Sequence, residues 1–128
     1  MEAIKQLKAR YERAADTKDL DLLRTTVTDD FFCDTGGSGA SATTGIEPFL
    51  DRLRANPDVI AVHHAVLPEI ELTSPSTATG IWAVHVMVRT PDGKGMDGYG
   101  HYHDTYVKVD GSWLVSSLQL KWLHVQPH

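Results

Sequence analysis

Cysteine is nearly absent from this chain: Cys33 is the only one in 128 residues, so no intrachain disulfide can form and no CxxC pair exists for metal or redox work. A reducing compartment is the natural setting. Long apolar runs are absent too, since nothing approaches the roughly 18 apolar residues of a membrane span. The opening MEAIKQLKAR alternates charge with hydrophobe where a signal peptide would carry an apolar core. A soluble, cytoplasmic protein without membrane association is expected. Basic charge is scarce: 12 Lys and Arg stand against 17 Asp and Glu, a net charge of −5, and the richest basic cluster is Lys5, Lys8, Arg10 and Arg13 on one amphipathic segment. Nucleic acid is therefore not an expected partner. Also missing are a Gly-x-Ser-x-Gly elbow, a phosphate loop and a dinucleotide fingerprint, which leaves hydrolase triads, NTPases and dehydrogenases without support. No cofactor is expected.

What is present is the composition of an ordinary folded domain, 41% apolar and 23% charged, which disfavours disorder. The length suits one domain over residues 1–128. Ile4, Leu7, Tyr11 and Ala14 or Ala15 recur at spacings of three and four within residues 2–16, the pattern of an amphipathic helix. Asp19 reads as the N-cap of a short second helix carrying Leu20, Leu22, Leu23 and Val27. A short strand is expected at residues 30–34, and the Gly/Ser/Thr-rich run 35–45 reads as a connection that could alternatively act as a lid. Pro48 fits the first turn of a third helix over 46–55.

From residue 59 the chain turns to Val, Ile, Thr and aromatics, predicting four antiparallel strands at about 59–73, 77–90, 96–110 and 112–124. The turns are Ser74-Pro75-Ser76, Pro91-Asp92-Gly93-Lys94 and Asp110-Gly111. Strands of this length must curve or bulge, with bends expected at Pro68 and along Gly95, Gly98 and Gly100. The outcome is an α+β fold: a strongly curved, mostly antiparallel sheet with N-terminal helices on its concave face.

Period-two reading of residues 60–72 assigns Ile60, Val62, His64, Val66, Ile70 and Leu72 to one face and Ala61, His63, Glu69 and Glu71 to the other. His64 is thereby offered to the interior. A core histidine satisfied by a backbone group or hydroxyl is one reading. The other is an acid/base group, for which burial favours the neutral imidazole that can take a proton. Asp16, at the C-terminal end of the first helix, is either a solvated turn residue or a partner that fixes the imidazole tautomer. Tyr11 has its ring on the apolar stripe and reads as core or as a phenol reaching into a cavity. Trp82, Tyr102, Val86 and Phe32 are candidate substrate-cavity walls, or plain core. His101, His103 and His85 raise a metal question, but no carboxylate is obviously placed with them, and no metal site is assigned.

The element order and the motifs Tyr11-Glu-Arg-Ala-Ala-Asp16-Thr-Lys-Asp19, Val62-His63-His64-Ala65 and Gly100-His-Tyr-His-Asp-Thr-Tyr106-Val-Lys-Val-Asp-Gly-Ser-Trp113 resemble the SnoaL-like group of the NTF2-like (cystatin-like α+β) superfamily across essentially the whole chain. Relatives in that group include scytalone dehydratase, bile acid 7α-dehydratase and the hexachlorocyclohexane dehydrochlorinase LinA, in which a helix-borne Asp and a strand-borne His form an elimination dyad. The resemblance implies that Asp16 and His64 fill those places, with Tyr11 as the additional tyrosine of the bile acid dehydratase pattern. It departs from the scytalone pattern at Ala15 and Thr35, and Lys121 is the only basic residue of the last strand where some relatives carry arginine.

The resulting expectation is a cofactor-independent lyase removing water or another leaving group from a small apolar cyclic substrate, with Asp16, His64 and Tyr11 catalytic. An isomerase of the ketosteroid isomerase type needs the same base and donor, and ketosteroid isomerase itself is a standard worked case of such chemistry. A non-catalytic small-molecule-binding or assembly module is the alternative from another class, favoured if Asp16 lies beyond hydrogen-bond reach of His64. A homodimer or homotrimer is expected from the resemblance.

Overall fold

The computed structural model describes residues 1–36 and 42–128. The stripe at spacings of three and four forms helix α1 (Glu2–Thr17), whose buried side is Ile4, Leu7, Lys8, Tyr11, Glu12 and Ala14. Two of these six are charged, which the apolar pattern did not disclose. Lys18 ends α1 in the left-handed conformation, its N–H and that of Asp19 returning to the carbonyls of Ala14 and Ala15. Helix α2 (Leu20–Arg24) is capped by Asp19, whose carboxylate accepts the Leu22 N–H at 3.1 Å.

Strand β1 (Val27–Asp34) is longer than expected, and β2 (Thr43–Thr44) adds a short strand inside the presumed connection. Residues 37–41 of that connection, on which the lid reading rests, lie outside the described residues. Helix α3 (Ile46–Arg54) follows, with Pro48 in its first turn. The four long strands are β3 (Ile60–Ser74), β4 (Thr77–Arg89), β5 (Gly95–Val109) and β6 (Ser112–Pro127). The sheet has six strands in the order β2-β1-β6-β5-β4-β3, so the four-stranded meander is extended by a parallel pairing of β1 on β6.

The bends lie where proline and glycine suggested. Pairing slips by one residue between Val66 and Glu69, where Leu67 takes a positive φ of 53° beside Pro68. A second slip sits between Tyr99 and Gly100. At Gly100 a Cβ would lie 2.2 Å from the Lys121 carbonyl oxygen, so only glycine permits this strand crossing. Helices and concave sheet face meet in a core that includes Phe31, Leu50, Val115 and Leu118. Tyr11, Phe31 and Phe49 close one side of it with ring centroids 5.2–6.4 Å apart.

Candidate active site

Between the helices and the concave face lies a cavity of about 600 Å³, within the range typical of small-molecule sites. Its wall is mostly apolar, with Phe49, Leu53, Val86, Val88, Leu118 and Trp122 among its members. Its polar groups include Tyr11 and Glu12 from α1, Arg52 from α3, His63 from β3 and Tyr102 from β5, with Lys18, Thr35, Asn56 and Thr90 from the connections.

Asp16 sits on the last turn of α1 and meets β3 at His63. Its Oδ1 accepts a hydrogen bond from His63 Nδ1–H at 2.7 Å, and both carboxylate oxygens lie 3.2 Å from the His63 backbone N–H. The end of α1 is tied a second time just ahead of that strand, where Lys18 Nζ donates to the Val59 carbonyl at 2.5 Å. With Nδ1 engaged, the tautomer is fixed, and Nε2 has no hydrogen-bond partner among the described residues. Burial pulls the His63 pKa down, but the hydrogen bond to Asp16 leads the influences that oppose it, and the balance leaves it above the ordinary 6.5.

The expectation for His64 is overturned geometrically. His64 is exposed on the convex face, opposite His85 on β4, and makes no contact with Asp16. The physical reason is the bulge at Leu67-Pro68, which reverses the alternation: Ile70 takes the inner face after it, while Ala61, His63 and Ala65 do so before it. A signal was available, because a bend at Pro68 and an unbroken alternation through residue 72 exclude one another. Small Ala61, two residues before His63, also marks the side left open.

Of the other candidates, Tyr11, Tyr102 and Val86 line the cavity. Burial raises the phenol pKa of both tyrosines well above 10, so each keeps its proton and can donate it in a hydrogen bond. Phe32 does not line the cavity. It is exposed on the outer face, and it is Cys33 that lines the cavity, its thiol pushed up to about 12 chiefly by burial and so inert. Trp82 is core rather than wall: its indole N–H donates to Tyr106 Oη at 2.9 Å, and Tyr106 in turn donates to Asp104 Oδ2 at 2.7 Å. His85, His101 and His103 share the outer face, but His85 Nε2 is 3.3 Å from Asp97 Oδ1, and no group of three or more metal-ligating side chains converges among the described residues.

Sequence reading missed Arg52 and Glu12. Arg52 places a guanidinium in the wall from α3, where arginine was sought only on the last strand. Glu12 is 7% exposed and stands one helical turn before Asp16. Its Oε2 is 3.4 Å from the Tyr102 hydroxyl. Burial is the strongest influence on its pKa and raises it; Lys8 and His63 oppose this, while Asp16 and Asp104 reinforce it. An i, i+4 pairing with Lys8 on the apolar stripe was the available signal.

A base oriented by a carboxylate, flanked by neutral phenols in an apolar chamber, can remove a proton from a bound carbon acid and stabilise the charge that develops. Comparison with known proteins agrees with the architecture. The hexachlorocyclohexane dehydrochlorinase LinA-type3 from Novosphingobium barchaimii superposes with a TM-score of 0.84 at 21% identity, covering 98% of this chain and 88% of that one. A provisionally assigned scytalone dehydratase from Novosphingobium aromaticivorans gives 0.89 at 22% identity, covering 100% and 87%. A Mycobacterium tuberculosis protein of unknown function gives 0.80 at 26%, covering 94% and 69%. Residues 1–119 match the SnoaL-like domain, and the chain belongs to that family, with the NTF2-like fold.

Proposed function

We propose that this protein is a cofactor-independent lyase that eliminates a leaving group from a small, largely apolar cyclic substrate. The observation carrying this reading is the 2.7 Å contact between Asp16 Oδ1 and His63 Nδ1 at the wall of the cavity. His63 Nε2 takes the proton from carbon, Asp16 holds the ring and stabilises the imidazolium, and Tyr11 or Tyr102 donates to a substrate oxygen. The distance criterion stated for Asp16 and His64, taken alone, favours a binding protein. The neighbouring imidazole supplies the missing partner, and that supports catalysis instead. Neighbours that include a dehydrochlorinase and a provisionally assigned scytalone dehydratase support the same class of reaction.

The test is turnover of a β-hydroxy and a β-chloro cyclohexanone, followed as formation of the conjugated enone. Asp16→Asn and His63→Ala should each lower kcat/KM by roughly 10²–10⁴-fold with the fold intact by circular dichroism. His64→Ala should leave it within about twofold, as exposed substitutions away from a site do. Activity that survives in both dyad variants would move the protein to the non-catalytic binding class.

A further inference from the structure

The buried charged side chains among the described residues are Lys8, Glu12 and Asp104. They do not balance. Lys8 Nζ is 2.9 Å from Asp104 Oδ2 but 4.0 Å from Glu12 Oε1, and it lies 3.8 Å from the Tyr102 ring centroid, so its charge stands closer to Asp104 and the aromatic face than to Glu12. Asp104 also accepts the Tyr106 hydroxyl. Glu12 is thus a second buried carboxyl without a full counterion, facing Lys8 on its own helix, Asp16 one turn on, and His63 and Tyr102 from the sheet. Its Oε1 has no hydrogen-bond partner among the described residues, and of the three charged groups it alone lines the cavity. A buried carboxyl so placed is far less costly as a neutral acid, and a neutral acid has a proton to give.

We infer that Glu12 is a general acid that protonates a leaving hydroxyl, so that the cavity is built to expel water rather than halide. This rests on the elimination reading and deepens it. His63 Nε2 takes the proton from carbon, and the C–H electron pair becomes the new C=C bond. The C–O bond breaks with its pair on oxygen, the Glu12 proton goes to that oxygen, and water leaves. The imidazolium and carboxylate that remain are reset when His63 loses one proton to solvent and Glu12 regains one. Chloride needs no such proton, because it departs as a stable anion.

Two measurements test this. The first uses protein labelled with ¹³C at the glutamate side-chain carboxyl, with the Glu12 signal identified by its loss in Glu12→Gln. The Glu12 carboxyl should still be protonated at neutral pH, and an ionised Glu12 overturns the inference whether or not a substrate is turned over. The second compares the two cyclohexanones. Glu12→Gln should lower the ratio of kcat/KM for the β-hydroxy over the β-chloro ketone by roughly 10²-fold or more, the size of a general-acid contribution. It should also remove the alkaline limb of the pH profile. An unchanged ratio overturns the acid role while leaving the dyad standing. Failure of the wild-type protein to turn over either ketone counts instead against the elimination reading itself, and the acid role falls with it.

Discussion

At the scale of single residues, His63 and Glu12 are two groups of the cavity wall whose hold on a proton is strengthened by folding. Folding leaves His63 with a raised pKa and Glu12 with a raised pKa, so the native state binds more protons than the unfolded chain between each group's ordinary value and its folded one. For His63 the stabilisation is fully present below 6.5 and is lost as pH rises through its folded pKa; for Glu12 stability likewise declines as pH rises from 4.5 through its folded value. The protein should therefore lose thermal stability on going from mildly acid to alkaline buffer. Glu12→Gln, which never ionises, should show a flatter dependence. Thermal melts of both proteins across pH check this, and parallel slopes would contradict it. The two groups interact, so a pH–rate profile reports the pair rather than either residue alone.

At the scale of elements, β3 decides which histidine meets Asp16. Its sequence carries strong alternation, and the strand itself, the bend at Pro68 and the end of α1 near Asp16 were all legible. The face was not. Alternation defines two faces without saying which is inside, and the usual rule that large apolar residues point inward fails beside a cavity, where small Ala61 leaves room. One residue of slip at Leu67-Pro68 then inverts the assignment. Curvature of β5 depends similarly on Gly100, whose missing Cβ leaves space for the Lys121 carbonyl. Gly100→Ala should destabilise the protein by about 1–3 kcal/mol through enforced strand separation. Denaturant unfolding measures it; a change below about 0.5 kcal/mol, the range of neutral surface substitutions, would show that the crossing relaxes freely.

At the scale of the whole molecule, the apolar residues of β3 turned away from the cavity are unaccounted for by one chain. Ile60, Val66 and Leu67 are 59%, 51% and 79% exposed, and β3 is the last strand of the sheet. No helix among the described residues is long and apolar enough to cross a membrane. The expected dimer or trimer stands as a proposal that a second copy of the chain covers this face. Light scattering should give two or three times 14.1 kDa, and Val66→Glu with Leu67→Asp should reduce it to one. A wild-type monomer at tens of micromolar would end that proposal.

Periodicity and turn chemistry determined the three helices, the four long strands and the α+β class, because these are set by interactions between near neighbours along the chain, while the family was legible only through the resemblance of its motifs. Tertiary structure decided three things that such interactions do not reach. It chose His63 over His64 as the partner of Asp16 by seating α1 on β3, it moved Phe32 and Trp82 out of the cavity, and it buried Glu12 with its Lys8 neighbour closer to Asp104. Each depends on which face meets which across tens of residues, and on the electrostatic cost of burying a charge that the linear sequence does not show to be buried.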